Sequence, residues 1–128
     1  MKLQTALAIG SGGFIGAILR AYISGFVNEH FSHNIPFGTL AVNLIGSFIL
    51  GSLFAYFTYT HLFSPHMKSF LSTGMMGALT TYSTFAMETF FLFNGGLYIM
   101  AFSNMLLNLF GTILMAGAGF KLFEAILK

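Results

Sequence analysis

The chain has 128 residues, of which 56% are hydrophobic and 6% charged, and its formal net charge is +2. A soluble domain usually carries about 25% charged residues, so this composition excludes a water-covered globular protein and predicts a membrane protein. Because the chain has no cysteine, it holds neither a disulfide framework nor a thiolate metal site, and its scattered basic residues form no stripe typical of nucleic-acid binding.

Four apolar stretches follow one another along the chain, and each is close to the roughly 20 residues that a helix needs to cross a hydrocarbon core. The polar stretches VNEHFSHNIP, THLFSPHMK and FNGG separate them. Because backbone groups in lipid must be bonded internally, we predict an all-α protein with four transmembrane helices in one domain, residues 1–128. The predicted spans are about 3–26, 37–59, 67–93 and 97–120.

The first span contains GGFIG, in which Gly12 and Gly16 have the spacing that lets two helices approach closely. Packing within the subunit and packing between subunits both account for this spacing. Arg20 is the only basic residue assigned to the side of the membrane opposite the termini. The side with the termini and the middle loop carries the lysines, which predicts that this side is cytoplasmic: Lys2, Lys68, Lys121 and Lys128. So few charges also permit insertion in both directions.

Polar and small residues recur every four positions in the second and fourth spans, so that each set lies on one helix face. Polar groups are costly in a membrane and tend to face a bundle interior or a water-filled path. The two stripes therefore predict a shared polar lining, with interhelical bonding as the alternative. The residues are Thr39, Asn43, Ser47 and Gly51 in the second span, and Asn104, Asn108 and Thr112 in the fourth.

The third span contains TGMMGALTTYSTFAMETFF, which combines poor helix formers with a run of hydroxyl side chains that can bond freed backbone groups. We predict a broken helix, whose carbonyl oxygens can coordinate a cation and whose second half presents its N-terminal amides. If the second half begins near Thr81, then Thr81, Thr84 and Glu88 share one face. The adjoining face then carries Tyr82, Phe85 and Thr89.

Hydroxyl donors and the positive edges of aromatic rings favour an anion over a cation as the permeating species. A cation path would more often show rings of carboxylates or carbonyls, whereas Glu88 is the only acid well inside a span. By composition alone, the rings of Tyr82 and Phe85 also fit ordinary core packing.

The segments GTLAVNLIGSFILG, GMMGALTTYSTFAMETF and GGFIGAILRAY resemble the signature segments of the Fluc/CrcB fluoride channels over nearly the whole chain. The resemblance implies a dual-topology homodimer, in which two antiparallel subunits form two pores. It implies passive export of fluoride from the cytoplasm across the bacterial inner membrane. It also implies a structural sodium ion at the dimer interface, bound by the backbone carbonyls of Gly77 and Thr80.

The same resemblance assigns roles to individual side chains. Asn43 would donate its amide to fluoride, and Tyr82 and Phe85 would present ring edges to it. Arg20 would anchor the pore mouth or a helix end. A polar track would be formed by Ser83, Thr84, Glu88 and Thr112. Three residues depart from the family pattern. Tyr82 stands where phenylalanine is usual, Ala78 replaces the second glycine of a usual pair, and Asn104 stands where an aromatic residue is expected.

Two other functions remain open from the sequence. One is fluoride/proton exchange in which Glu88 changes its protonation state, and the other is a non-conducting assembly subunit. An enzyme is not predicted, because no set of nucleophile, base and orienting group is present.

Overall fold

The computed structural model describes residues 1–128, and all of its regular elements are helical. The helices are α1 (Leu3–His30), α2 (Phe37–Tyr59), α3 (Pro65–Ser69), α4 (Gly77–Leu79), α5 (Ser83–Asn94) and α6 (Tyr98–Leu127). A π-helix at Phe70–Met76 lies between α3 and α4, and these three short pieces with α5 form the third predicted span.

Helices α1 and α6 extend beyond the spans predicted from hydropathy, whereas α2 has the predicted bounds. Helix α1 continues from Phe26 to His30 because no glycine or proline interrupts the polar residues there. Helix α6 likewise continues through Lys121 and Glu124 to Leu127. Charged residues end the apolar stretch but do not end the helix, which explains why α1 and α6 are longer than their predicted spans.

The third segment is interrupted at residues 80–82. Helix α3 begins after Ser64, whose Oγ accepts a hydrogen bond of 3.2 Å from the backbone N–H of Met67. Helix α4 ends at Leu79 because Thr80 is extended, with ψ at 157°. The second half begins at Ser83 rather than near Thr81. The sequence predicted that Thr81 shares a helical face with Thr84 and Glu88, but Thr81 lies in the break, before this helix begins.

Glycines bring the helices into backbone contact. A Cβ on Gly12 would lie 2.2 Å from the carbonyl oxygen of Phe70, and a Cβ on Gly16 would lie 2.1 Å from that of Met75. These two glycines therefore pack α1 against the third segment of the same chain. Gly51 makes the same kind of approach between α2 and α6, where its Cβ would lie 2.0 Å from the carbonyl oxygen of Ala116.

One end of the bundle gathers both termini and the middle loop. Gln4 of α1 and His66 of α3 line the same groove. Tyr59, at the end of α2, donates a hydrogen bond of 2.6 Å to Glu124 of α6, which also pairs with Lys121 at 3.1 Å. This end carries all four lysines, as the predicted topology requires.

Large apolar side chains cover the outside of the bundle, including Phe14, Ile99 and Leu114. By length and composition, Leu3–His30, Phe37–Tyr59 and Tyr98–Leu127 can each cross a membrane. The third predicted span is divided into shorter pieces, so a fourth membrane crossing remains a prediction. An apolar exterior around helices of this length is typical of a multi-pass membrane protein.

Candidate functional site

A cavity of about 390 Å³ lies beside the break, between α2, α5 and α6. The two polar stripes predicted from the sequence meet here, since α2 packs along α6. The break supplies the third wall. The lining residues are Asn43, Ser47, Leu50, Thr80, Thr81, Tyr82, Phe85, Met105, Asn108, Leu109 and Thr112.

Asn43 holds the break in place. Its Oδ1 accepts a hydrogen bond of 2.8 Å from the backbone N–H of Thr81, and its Nδ2 donates one of 3.0 Å to the carbonyl oxygen of the same residue. The other Nδ2 hydrogen goes to Oδ1 of Asn108 at 2.9 Å. Because an amide has two hydrogens to donate, Asn43 has none left for a ligand in this arrangement.

A buried amide network continues from Asn43 through α6 to α5. Asn108 donates to the carbonyl oxygen of Asn104 at 3.0 Å and to its Oδ1 at 3.2 Å. Asn104, which is completely buried, donates to Oγ1 of Thr89 at 2.9 Å. Thr89 in turn donates to the carbonyl oxygen of Phe85 at 2.8 Å. The network thereby connects the break to the helix that carries the ring of Phe85.

Two aromatic rings form the mouth of the cavity. Tyr82 and Phe85 lie edge to face, with ring centroids 5.5 Å apart and planes inclined by 67°. Tyr82 is 81% exposed, whereas Phe85 is half-buried. Both rings line the cavity, and the edge of an aromatic ring is the part that attracts an anion.

The hydroxyl groups around the cavity fall into two sets. Thr80 and Thr112 donate to the carbonyl oxygens of the residues four positions earlier, at 3.0 and 2.6 Å. The hydroxyl groups of Ser47, Thr81 and Tyr82 donate no hydrogen bond within the chain, although Oγ1 of Thr81 accepts one from the N–H of Thr84. Three residues that line the cavity thus carry a hydroxyl hydrogen with no partner in the chain.

Four of the predicted side chains lie outside the cavity. Ser83 and Thr84 are exposed in the first turn of α5, and Glu88 is half-buried one turn further along. The Thr39 hydroxyl faces the Glu88 carboxyl group, whose Oε1 is buried without a hydrogen-bond partner in the chain. Arg20 is half-buried on α1 and pairs with no acidic residue.

The carbonyl oxygens of Gly77 and Thr80 fit a cation site. In an uninterrupted helix they would accept from the N–H groups of Thr81 and Thr84, but the first donates to Asn43 and the second to Oγ1 of Thr81. Both carbonyls therefore lose their usual helical partners. Carbonyl oxygens are suitable ligands for a hard cation such as sodium. Gly77 is also exposed.

Some lining residues were not predicted from the sequence. Ser47 and Asn108 were predicted as part of the lining through the spacing of the polar stripes, and both line the cavity. Leu50, Met105 and Leu109 carry no such signal, because apolar residues are abundant on every helix. Their position depends on how α2 and α6 pack.

Comparison with known proteins gives one family. The model of the family described as "CrcB-like protein, Camphor Resistance (CrcB)" matches residues 7–120. The chain is 61% identical over its full length to a protein of Sulfurimonas denitrificans, of which it covers 99%, and 62% identical over its full length to one of Nautilia profundicola, of which it covers 100%. It is 48% identical over 95% of its length to a protein of Campylobacter jejuni, of which 99% is covered. All three are named "Fluoride-specific ion channel FluC".

Proposed function

The chain belongs to the CrcB family, and from this premise we propose that it is a passive, fluoride-selective channel that lets fluoride leave the cytoplasm. It is a multi-pass membrane protein with three helices able to span the bilayer. We place it in the bacterial inner membrane. The third, broken segment is the fourth crossing in this proposal.

The observation that carries the proposal is the chemistry of the cavity beside the break. Residues with free hydroxyl groups and two aromatic rings line it, and no carboxylate does. Fluoride is small and strongly hydrated, so a path for it must replace water with donors of hydrogen bonds. Such a lining favours an anion over a cation.

A second, antiparallel copy completes the pore in this proposal. The cavity is open on the side of Tyr82, which is too exposed to act as the wall of a closed path in a single subunit. The exposed surface at Gly77 and Ser83 lies on the same broken segment. Two copies related by a twofold axis would cover both breaks and give two equivalent pores.

A structural sodium ion is part of the same proposal. The carbonyl oxygens of Gly77 and Thr80 would hold it, with the same groups of the second copy. A bound cation supplies positive charge that offsets the carbonyl dipoles exposed by the break. Replacing sodium with a bulky organic cation should therefore weaken the dimer, as measured by the fraction of dimer in detergent.

Fluoride release from liposomes tests the proposal. Liposomes that contain the purified protein should release fluoride and retain chloride. Asn43→Ala should abolish fluoride release, because it removes three hydrogen bonds, two to Thr81 in the break and one to Asn108. Phe85→Ile should reduce it strongly, because the ring edge is lost. Equal release of both halides, or no effect of either substitution, contradicts the assignment. A wild-type protein that releases neither ion favours a non-conducting assembly subunit.

The buried, unpartnered Oε1 of Glu88 favours fluoride/proton exchange as a second candidate function. A carboxyl group that changes its protonation state during transport would couple the two ions. In that case fluoride uptake follows an imposed proton gradient, Glu88→Gln abolishes it, and passive flux is absent. A channel instead conducts fluoride without a proton gradient.

A further inference from the structure

We propose that Gly46 of α2 is a positioning residue for the proposed sodium site. The space left by its missing side chain receives the methyl group of Thr80, and this contact helps to set the direction of the Thr80 carbonyl oxygen. The inference rests on the proposed function, in which that carbonyl oxygen binds sodium. It adds a residue that acts through Thr80 and does not itself contact the ion.

Gly46 is the only glycine at which the nearest neighbour of an added Cβ belongs to the break, residues 80–82. That Cβ would lie 2.3 Å from Cγ2 of Thr80, and a real Cβ essentially never lies within 3.0 Å of such a neighbour. At Gly16 and Gly51, the nearest atom is instead a backbone carbonyl oxygen of a neighbouring helix. A side chain at position 46 therefore requires either Thr80 to turn or the break to move.

The carbonyl oxygen of Met76 holds Thr80 against turning. The backbone N–H of Thr80 donates to this oxygen at 3.1 Å, and its Oγ1 donates to the same oxygen at 3.0 Å. Because threonine is branched at Cβ, rotation about χ1 moves Oγ1 and the methyl group together. Turning the methyl group away from Gly46 therefore breaks the hydroxyl bond to Met76, which is costly away from water.

The Thr80 carbonyl group shares a planar peptide group with the N–H of Thr81. This peptide bond is trans, so the carbonyl oxygen and the N–H hydrogen point in opposite directions. The N–H donates to Oδ1 of Asn43 at 2.8 Å, and the carbonyl oxygen therefore points away from Asn43. Asn43 and Gly46 are three residues apart on one face of α2. One turn of α2 thus holds this peptide group by a hydrogen bond and the preceding side chain by a methyl contact.

An added methyl group at position 46 would displace this peptide group. Its carbon would lie 2.3 Å from the Thr80 methyl group, whereas ordinary contact begins at 3.4 Å. The required separation is larger than the roughly 0.5 Å within which the ligands of a binding site need to be held. A methyl group at position 46 should therefore disturb the Thr80 carbonyl oxygen enough to weaken sodium binding, although position 46 lies on another helix.

Thermal unfolding in detergent measures the effect without relying on ion conduction. Sodium chloride replaces the chloride salt of a bulky organic cation at constant ionic strength, and the melting temperature of the wild type should rise. The sodium concentration that gives a fixed rise scales with the dissociation constant for sodium. We expect Gly46→Ala to increase this concentration about tenfold, because overpacking displaces the groups around the added atom.

A second substitution moves the methyl group from one side of the contact to the other. Thr80→Ser removes the methyl group and keeps the hydroxyl group, so alone it should increase the sodium requirement about threefold by leaving a small cavity. Combined with Gly46→Ala, it should return the requirement to within about twofold of the wild type, because the two substitutions compensate each other. Gly117→Ala on α6 is the control for an added methyl group and should leave the requirement unchanged, since a Cβ there meets no atom within 4 Å.

The outcomes separate a positioning role from simple packing. If Gly46→Ala lowers the melting temperature by the same amount at every sodium concentration, Gly46 only packs, and the inference is overturned. The same conclusion follows if the double variant needs as much sodium as Thr80→Ser alone, and this comparison holds even when Gly46→Ala does not fold. A wild type that sodium does not stabilise overturns the proposed sodium site instead, whereas fluoride release from liposomes tests the channel separately.

Discussion

Asn43 and Ser47 are one helical turn apart on α2, yet the polar atoms around them are bonded in different ways. Around Asn43, the side-chain amide hydrogens of Asn43 and Asn108 are donated to other polar groups, and the network extends through Asn104 to Thr89. Around Ser47, the hydroxyl hydrogens of three cavity residues have no partner in the chain. We call the region around Asn43 closed, because its amide hydrogens have partners in the chain. We call the region around Ser47 open, because its hydroxyl hydrogens have none.

The difference shows that one polar stripe can serve two purposes. Closed amides fix the break of the third segment against α2 and α6, which a membrane protein must do because unbonded backbone groups are costly in lipid. Open hydroxyl groups provide exchangeable donors on a rigid wall. Substitutions in the closed region should therefore lower stability, and substitutions in the open region should change ion binding.

The largest expected effect is at the close contact between α2 and α6 at Gly51. Gly51→Leu should destabilise the protein by about 3 kcal/mol or more, because overpacking a tight contact forces the backbones apart. Its Cβ would overlap the carbonyl oxygen of Ala116. Gly117→Leu on α6 is the matched control, since a Cβ there meets no atom within 4 Å. Thermal unfolding in detergent measures both, and equal melting temperatures would contradict the close packing.

An intermediate effect is expected from Asn104→Leu, which nearly preserves volume and removes the link between Asn108 and Thr89. We expect a loss of about 1 to 2 kcal/mol, because interhelical hydrogen bonds in membranes are individually modest. A double-mutant cycle with Thr89→Val should give a coupling of about 0.5 kcal/mol or more. Ser103→Ala, on the preceding residue, should have little effect. Additive losses for the pair would show that the network is not cooperative.

The smallest effect is expected in the open region. Tyr82→Phe keeps the ring and removes a single free hydroxyl group, so the half-saturating fluoride concentration should rise about twofold to fivefold, as for one weak hydrogen bond. Melting temperature should not change, because the Tyr82 side chain is exposed. If Tyr82→Phe lowered stability and left fluoride binding unchanged, Tyr82 would belong to the closed region instead.

Much of the fold could be predicted from the sequence because apolar length and turn residues are local signals. Helix α2 has the predicted bounds, and the break occurs in the stretch rich in glycine and hydroxyl residues. The π-helix was not predicted, since its hydrogen-bond pattern has no sequence signature and it lies where Gly12 and Gly16 pack against it. The ends of α1 and α6 were missed because hydropathy measures the span and not the helix.

The candidate site could be predicted only in part. The stripe spacing identified Asn43, Asn108 and Thr112 as neighbours, and they line one cavity. The bonding of Asn43 to both backbone groups of Thr81 could not be foreseen, because it joins residues 38 positions apart. The sequence also placed Ser83, Thr84 and Glu88 on the path, and in a single subunit they lie outside the cavity.

The reversal potential in a planar bilayer tests the central claim most directly. Potassium fluoride is placed on one side of the bilayer and potassium chloride on the other. With a fluoride-selective channel, the current should reverse at a potential far from zero, with the sign expected for movement of fluoride alone. This potential should not move when a proton gradient is imposed. A reversal potential near zero, which means equal passage of both halides, or one that follows the proton gradient, would contradict a passive fluoride channel.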